Sequence, residues 1–368
     1  MNSWTYYSET LDRIYWLPEV ADDPVRATVE ANLAAHEIDR SVESLELKGP
    51  EDLPEAHNTA RTIVVRRGDP QDFTRCPGTH GHRCCNYLTM NVYVGCTLGC
   101  SYCIMQSYLR NRTLEVRIPH AEAVRRIRTV ATENPGRLVR VGTGEVGDSL
   151  LYDPLFGISN SLIDALGDLP NLRFELKTKT DYVDHLQAPL VPRSFLAAFS
   201  VNPPSVISQE EGFAAPLAHR LAAAERAAAR GFGLAFHFDP MIRTETWAHE
   251  YSLVAAMLGR LDAASPEWVS LGTIRYPAAL RPFVEARPYG IDEFVSSGDG
   301  KMRYLQVMRA EMYRTVKAAV RRALPKTPVY LCMESAAVWR DLQRRVPDPP
   351  GMLRPVMQPL PGAPGGPR

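Results

Sequence analysis

From residue 88 onward, short apolar runs alternate with longer amphipathic ones, a rhythm that predicts repeated strand and helix units. Strands are expected at 90–94, 138–142, 172–176, 195–201, 234–238, 268–273 and 329–332, with helices at 120–132, 158–166, 216–230, 246–260 and 301–323. The best punctuated helix starts at Pro216, runs through an alanine-rich stretch and stops at Arg230-Gly231. Repeated strand–helix units imply a parallel sheet, closed or partly closed into a barrel, with functional groups at the strand C-terminal ends. The residues before this rhythm read as a polar lead-in with one helix near 24–35 and one basic strand at 62–67. The stretch from Pro347 is rich in Pro and Gly and is expected to be disordered. The expected organisation is therefore an N-terminal extension over 1–85, a barrel over 86–346 and a tail over 347–368.

Composition narrows the function classes. Lys+Arg and Asp+Glu both number 42, so no global basic field advertises nucleic acid, and any such contact must come from a local patch. No basic segment followed by an apolar run opens the chain, and no stretch approaches a membrane span, so the protein is expected to be cytoplasmic, without a membrane partner. Seven cysteines, in no disulfide-scaffold pattern, suit reduced metal ligands better than bridges.

Three of them, Cys96, Cys100 and Cys103, form a C-x3-C-x2-C run with Gly95 and Gly99 around it and Tyr102 before the last ligand. An iron–sulfur cubane has four irons, so three thiolates leave one iron open for a ligand the protein does not supply. A structural zinc knot completed by a histidine is the alternative, although such sites usually pair C-x2-C elements. The spacing, with an aromatic residue before the third cysteine, resembles the radical S-adenosylmethionine (SAM) superfamily. The resemblance implies a [4Fe–4S] cluster whose open iron chelates SAM and whose electron cleaves it to a 5′-deoxyadenosyl radical. The implied fold is α/β, a partial (β/α) TIM-like barrel of radical SAM type with an N-terminal extension.

The later strand ends extend the likeness. Gly144-Glu145 ends the second expected strand and resembles the element that takes the SAM amino group, Glu145 being suited to accept from an ammonium. Lys179 ends the third, Ser200 and Asn202 the fourth, and Asp239 the fifth. The order of Cys96 to Gln106, Lys179 with Val183-Asp184-His185-Leu186, Phe199 to Asn202, and Gly231 to Pro240 is specifically similar to the spore photoproduct lyase family, over roughly 86–313. That resemblance implies SAM contacts at Tyr102, Lys179 and Ser200, with Gly144, Glu145 and Asp239 completing the cofactor site. It also implies repair of a thymine dimer joined through a methyl carbon, with an electron donor such as flavodoxin or ferredoxin.

This chain departs from the family pattern at two places. The lyase has a hydrogen-donating cysteine at the second strand end, where this chain by count has Glu145, and a tyrosine after the third cluster cysteine, where it has Ile104. Cys332, at the last expected strand end, is the candidate substitute donor; with Cys76 and Cys84 or Cys85 it is alternatively part of a second metal site. The stretch 297–304 resembles the lyase segment that inserts at the lesion, making Lys301, Arg303 and Tyr304 the expected DNA contacts. Radical modification of RNA, a peptide or a metabolite, and a cluster-bearing sensor without radical chemistry, remain the competing functions.

Overall fold

Eight strands curl into one sheet in the spatial order Val329–Leu331, Trp268–Thr273, Gly233–Met241, Phe195–Ser200, Leu172–Thr178, Val139–Gly142, Leu88–Met90 and Phe73–Arg75. Neighbours run parallel except the Phe73–Arg75 edge, which is antiparallel to Leu88–Met90. This is a computed structural model, and it describes residues 2–364 apart from 79–80, 110, 288 and 290–293.

Alternation along the strands decides what faces the helices and what faces the barrel axis. Leu172, Phe174 and Leu176 turn outward and are fully buried under helices, whereas Glu175, Lys177 and Lys179 turn inward. The same alternation sends Phe195 and Phe199 outward and Ala198 and Ser200 inward on the next strand, where Phe174 stacks on Phe195. The helix Leu217–Ala229 follows Pro216 and ends before Gly231, whose φ of +89° only glycine adopts readily. It buries Leu217, Arg220, Leu221, Ala224 and Ala227, an i, i+3, i+4, i+7 stripe with one arginine in it.

Three expectations are corrected. The strand expected at 90–94 divides: Leu88–Met90 belongs to the barrel, while Tyr93–Val94 joins a second sheet in the order Glu43–Glu46, Arg13–Trp16, Thr62–Arg67, Leu114–Ile118, Tyr93–Val94. The N-terminal segment is thus a sheet in its own right, sharing one hydrophobic core with the barrel. The helix expected at 301–323 begins only at Gln306, because Lys301–Tyr304 is the central strand of a three-stranded antiparallel sheet with Arg275–Pro277 and Phe294–Ser296.

The tail, expected to be disordered, is packed through residue 364. Its backbone carbonyls accept from barrel side chains: Val356 from Arg140 (3.0 Å), Met357 from Asn86 (2.8 Å) and Pro364 from Arg75 (3.0 Å). Val356 and Leu360 are buried with it. A segment poor in core residues is held here because its carbonyls accept from barrel donors, with Arg140 shared between Val356 and the Tyr330 hydroxyl. Val356→Asp is therefore expected to destabilise the protein by at least about 2 kcal/mol, with a lower thermal midpoint and early proteolysis of the tail. A midpoint equal to that of the unmodified protein would show that the tail contributes nothing.

Candidate active site

The cysteine loop reaches the open end of the barrel by a close backbone approach. The Gly95 amide donates to the Val146 carbonyl at 2.9 Å, and a Cβ on Gly147 would lie 2.4 Å from the Tyr93 carbonyl oxygen, so the two segments meet only because Gly147 has no side chain. On its other side the loop rests on the segment after the helix Pro204–Glu210. Phe213 donates its amide to the Leu98 carbonyl and Ser101 its amide to the Glu210 carbonyl, both at 2.8 Å, and the Ser101 hydroxyl donates to the Glu210 carboxylate.

Beneath the loop is a fully buried ion pair. The Tyr102 hydroxyl donates to Glu211, and the other Glu211 oxygen pairs with Arg220 at 2.5 Å, with both charged side chains at 0% exposure. Arg220 also donates to the carbonyls of Ser200 (2.8 Å) and Ala215 (2.7 Å), and Asn202 donates to Glu211 at 2.8 Å. Burial alone would raise the Glu211 carboxyl, but Arg220 and Lys179 outweigh it and hold it below the usual range. Burial pushes the Tyr102 phenol far up, so it keeps the proton it donates.

One cavity at the strand C-terminal ends brings together Cys96, Cys100, Tyr102, Cys103, Gly144, Glu145, Lys179, Ser200, Asp239 and Lys301. Cys96 is the most exposed of the three residues, although burial pushes its thiol up, Cys103 is half-buried and Cys100 is buried. Burial raises the Cys100 thiol to about 12, against the opposing pull of Lys179. Among the described residues no three Cys, His, Asp or Glu side chains converge on a single-ion site. Three thiols lining one cavity suit a cubane, in which each cysteine takes a different iron. Gly144 forms part of a cradle: a Cβ there would lie 2.5 Å from the Lys177 Cβ.

Two ion pairs complete the wall. Lys177 meets Glu145 at 3.2 Å, and Arg275 holds Asp239 with two nitrogens at 3.0 and 3.2 Å, overcoming burial to keep the Asp239 carboxyl low. Asp148 ties two strand ends together, accepting from the amides of Leu150 (2.9 Å), Leu151 (3.0 Å) and Lys179 (2.7 Å) and the hydroxyl of Thr178 (2.8 Å).

Other expected site residues lie elsewhere. Cys332 lies behind the wall, its sulfur 3.7 Å from Arg275, while Met333 and Arg275 face the cavity. Cys76 reaches the wall instead, its thiol donating to Glu145 at 3.8 Å. Arg303 and Tyr304, expected at DNA, are buried at 1% and 0% exposure; Arg303 pairs with Asp299 at 2.6 Å and the Tyr304 hydroxyl accepts from the Arg243 amide. As consecutive residues of the central strand they face opposite sides of that small sheet and each is covered, and of the three only Lys301 lines the cavity.

Sequence reasoning missed Glu210, Glu211, Arg220, Lys177 and Arg275. Alternation offered one signal: Glu175, Lys177 and Lys179 occupy every second position opposite Leu172, Phe174 and Leu176, an ionic face on a strand with buried neighbours. For Glu211 and Arg220 the only signal is an arginine within an apolar helical stripe.

A parallel sheet curled into a partial barrel, with a three-cysteine loop over its C-terminal ends, defines the radical SAM type of fold. The chain belongs to the spore photoproduct lyase family, whose model, described as "Spore photoproduct lyase", matches residues 13–276. The match takes in the N-terminal sheet and stops before the stretch 297–304. Among curated relatives, spore photoproduct lyase of Bacillus subtilis (strain 168) is 28% identical over 176 residues, 47% of this chain and 50% of that protein. The Geobacillus sp. (strain Y412MC61) protein of the same name is 23% identical over 249 residues, 64% of this chain and 73% of that protein. The chain thus spans about half the length of the first of these relatives. Solved structures share the fold: a spore photoproduct lyase variant with a dinucleoside spore photoproduct superposes with a TM-score of 0.72 at 20% identity, covering 87% of this chain and 98% of the other. A doubly substituted variant with bound AdoMet and the same dinucleoside gives 0.71 at 21%, with equal coverage.

The buried pair under the loop makes a direct prediction. Arg220→Met removes the main counter-charge of Glu211 and is expected to cost about 3–5 kcal/mol and to lower the iron bound per chain after reconstitution. Because Glu211 is held below its ordinary value, its contribution is complete above that value and is lost as pH falls through the lower folded-state value. Thermal midpoints of the two proteins should therefore converge as the pH is lowered. A constant difference across the acid range would contradict this account.

Proposed function

We propose that this protein is a radical SAM enzyme that holds a [4Fe–4S] cluster on Cys96, Cys100 and Cys103 and repairs a spore photoproduct-type pyrimidine lesion in DNA. The observation that carries the reading is the convergence of these thiols with Gly144, Glu145, Lys179, Ser200 and Asp239 on one cavity at the strand ends. The chemistry supplied there when the site is loaded is reductive cleavage of SAM to a 5′-deoxyadenosyl radical.

The chain's own residues position and shield the reactants. Lys179, kept protonated against burial by Cys100 and Glu211, is a cation for the SAM carboxylate. Glu145 is the acceptor for its ammonium, and Gly144 allows the backbone approach. Ser200 offers a hydroxyl whose strand end is anchored by Arg220, while Asp239 offers a carboxylate fixed by Arg275. Tyr102 acts from beneath, holding the loop through Glu211. Cys332 is the proposed hydrogen donor, its thiol kept protonated by burial and one side chain from the cavity. Lys301 is the remaining DNA contact of the three expected, and a flavodoxin or ferredoxin is the proposed electron source.

A second reading, radical modification of a substrate other than DNA, is favoured by the burial of Arg303 and Tyr304. Anaerobic reconstitution with iron and sulfide, followed by SAM, reductant and ultraviolet-irradiated DNA, separates the readings by mass spectrometry. Repair predicts loss of the methyl-linked dimer with recovery of thymine, whether or not 5′-deoxyadenosine accumulates. 5′-Deoxyadenosine without dimer loss selects the second reading, and absence of both SAM cleavage and dimer loss in cluster-loaded protein selects a sensor. Each Cys96→Ala, Cys100→Ala or Cys103→Ala change is expected to abolish SAM cleavage. Cys332→Ala is expected to lower thymine recovery at unchanged iron content, and unaltered recovery would remove Cys332 from the donor role.

A further inference from the structure

Below the cavity, the barrel interior is ionic where apolar layers would ordinarily pack. Glu175 and Lys177 turn inward from one strand, His237 from the second strand beyond it and Ser270 from the next, while Arg140 turns inward on the other side. Ala198 and Ala235 are small inward residues beside Lys177 and His237, Leu196 lies inward next to Glu175, and Tyr87 fills the space over Gly142. His237 Nε2 lies 2.6 Å from Glu175 Oε1, and its Nδ1 lies 2.6 Å from the Ser270 hydroxyl. Arg140 lies over Trp268 at 4.1 Å and donates to the Tyr330 hydroxyl at 2.9 Å.

Glu175 is 1% exposed, and among the described residues no donor meets either of its oxygens in hydrogen-bond geometry. Charge is what holds it: burial would raise its carboxyl, but His237, Lys177 and Arg140 bring it down to about 2. Lys177 in turn feels two carboxylates, Glu145 beside the cavity and Glu175 beneath it, which together keep it charged against burial. Isolated charges so deep are costly, and their mutual compensation couples them more strongly than surface charges couple.

We propose that Glu175 and His237 are positioning residues that divide Lys177 between the barrel floor and Glu145, and so set how strongly Glu145 binds the SAM ammonium group. The proposal rests on the reading of Glu145 as a SAM contact. With Glu175 charged, Lys177 is partly neutralised from below, and Glu145 retains negative charge for an incoming cation. Without Glu175, Lys177 has Glu145 as its main counter-ion, and the carboxylate is spent internally. Without His237, Glu175 draws Lys177 downward and Glu145 is released further.

The test is equilibrium dialysis of radiolabelled SAM against the reconstituted protein without reductant, so that no turnover enters the measurement. Glu175→Gln is expected to raise the SAM Kd by about tenfold, the scale of one charge interaction in a partly shielded site, while kcat at saturating SAM stays within about twofold of the unmodified enzyme. In a Lys177→Met background the same change is expected to alter Kd by less than about twofold, because the intermediary is gone. His237→Gln is expected to leave Kd at or below that of the unmodified protein. An equal effect of Glu175→Gln in both backgrounds, or weakened binding in both Glu175→Gln and His237→Gln, would overturn the proposal as a packing defect. Unmodified, cluster-loaded protein that binds no SAM would instead reject the underlying reading of the site.

Discussion

The buried pair of Glu211 and Arg220 is the constraint on which the geometry of the open barrel end depends. One guanidinium satisfies the Glu211 carboxylate, the Ser200 carbonyl at a strand end and the Ala215 carbonyl at a helix entry. Through Tyr102 the same carboxylate holds the cysteine loop. Burying two charges without exposure gains little net stability over a hydrophobic pair of similar volume. What it supplies here is position: any displacement of the loop, strand end or helix leaves a charge or carbonyl unpaired where no water replaces the partner. The cysteines are thus located by an ionic contact more than a hundred residues along the chain.

Above that constraint the barrel separates two kinds of packing by strand alternation. Outward positions are apolar and closed by helices, with Phe174 against Phe195 as one of the contacts. Inward positions carry Arg140, Glu175, Lys177, His237 and Asp239; the last four lie in ion pairs, and Arg140 donates to the Tyr330 hydroxyl and lies over Trp268. A parallel barrel with a hydrocarbon interior would be a filled core. Exchanging that filling for paired charges and small residues leaves a cavity with a polarised wall, and the stability lost inside is offset by the core between sheet, helices and N-terminal sheet.

Local pattern carried most of the elements, because hydrophobic alternation and helix punctuation are local properties. The strands 195–201, 234–238 and 268–273 and the helix 158–166 lie within two or three residues of their expected ends. The cavity-lining group was legible for a related reason: in a parallel sheet the strand ends must gather, so Gly144, Lys179, Ser200 and Asp239 could be placed together from order alone. Non-local pairing was not legible. Asn91 and Val92 carry the chain from one sheet to another inside what reads as one apolar run, and Lys301–Tyr304 is a strand only because two distant segments flank it. The tail's Pro- and Gly-rich composition reads as disorder, but Val356 and Leu360 are buried and its carbonyls serve arginines that no pattern within the tail reveals.

The cysteines outside the loop show why residue type and position must be read together. Cys76 contacts Glu145 and Cys332 contacts Arg275, so each of the two ion pairs in the cavity wall has a thiol against it. Burial drives both thiols far above their usual range, and the neighbouring carboxylates Glu145 and Asp239 push the same way. Such groups stay as S–H, which disfavours thiolate chemistry but retains a weak S–H bond beside the cavity. The strand end occupied by Glu145 therefore does not lack a thiol. It receives one from the segment between the strands Phe73–Arg75 and Leu88–Met90, through a contact that a count along Val139–Gly142 does not contain.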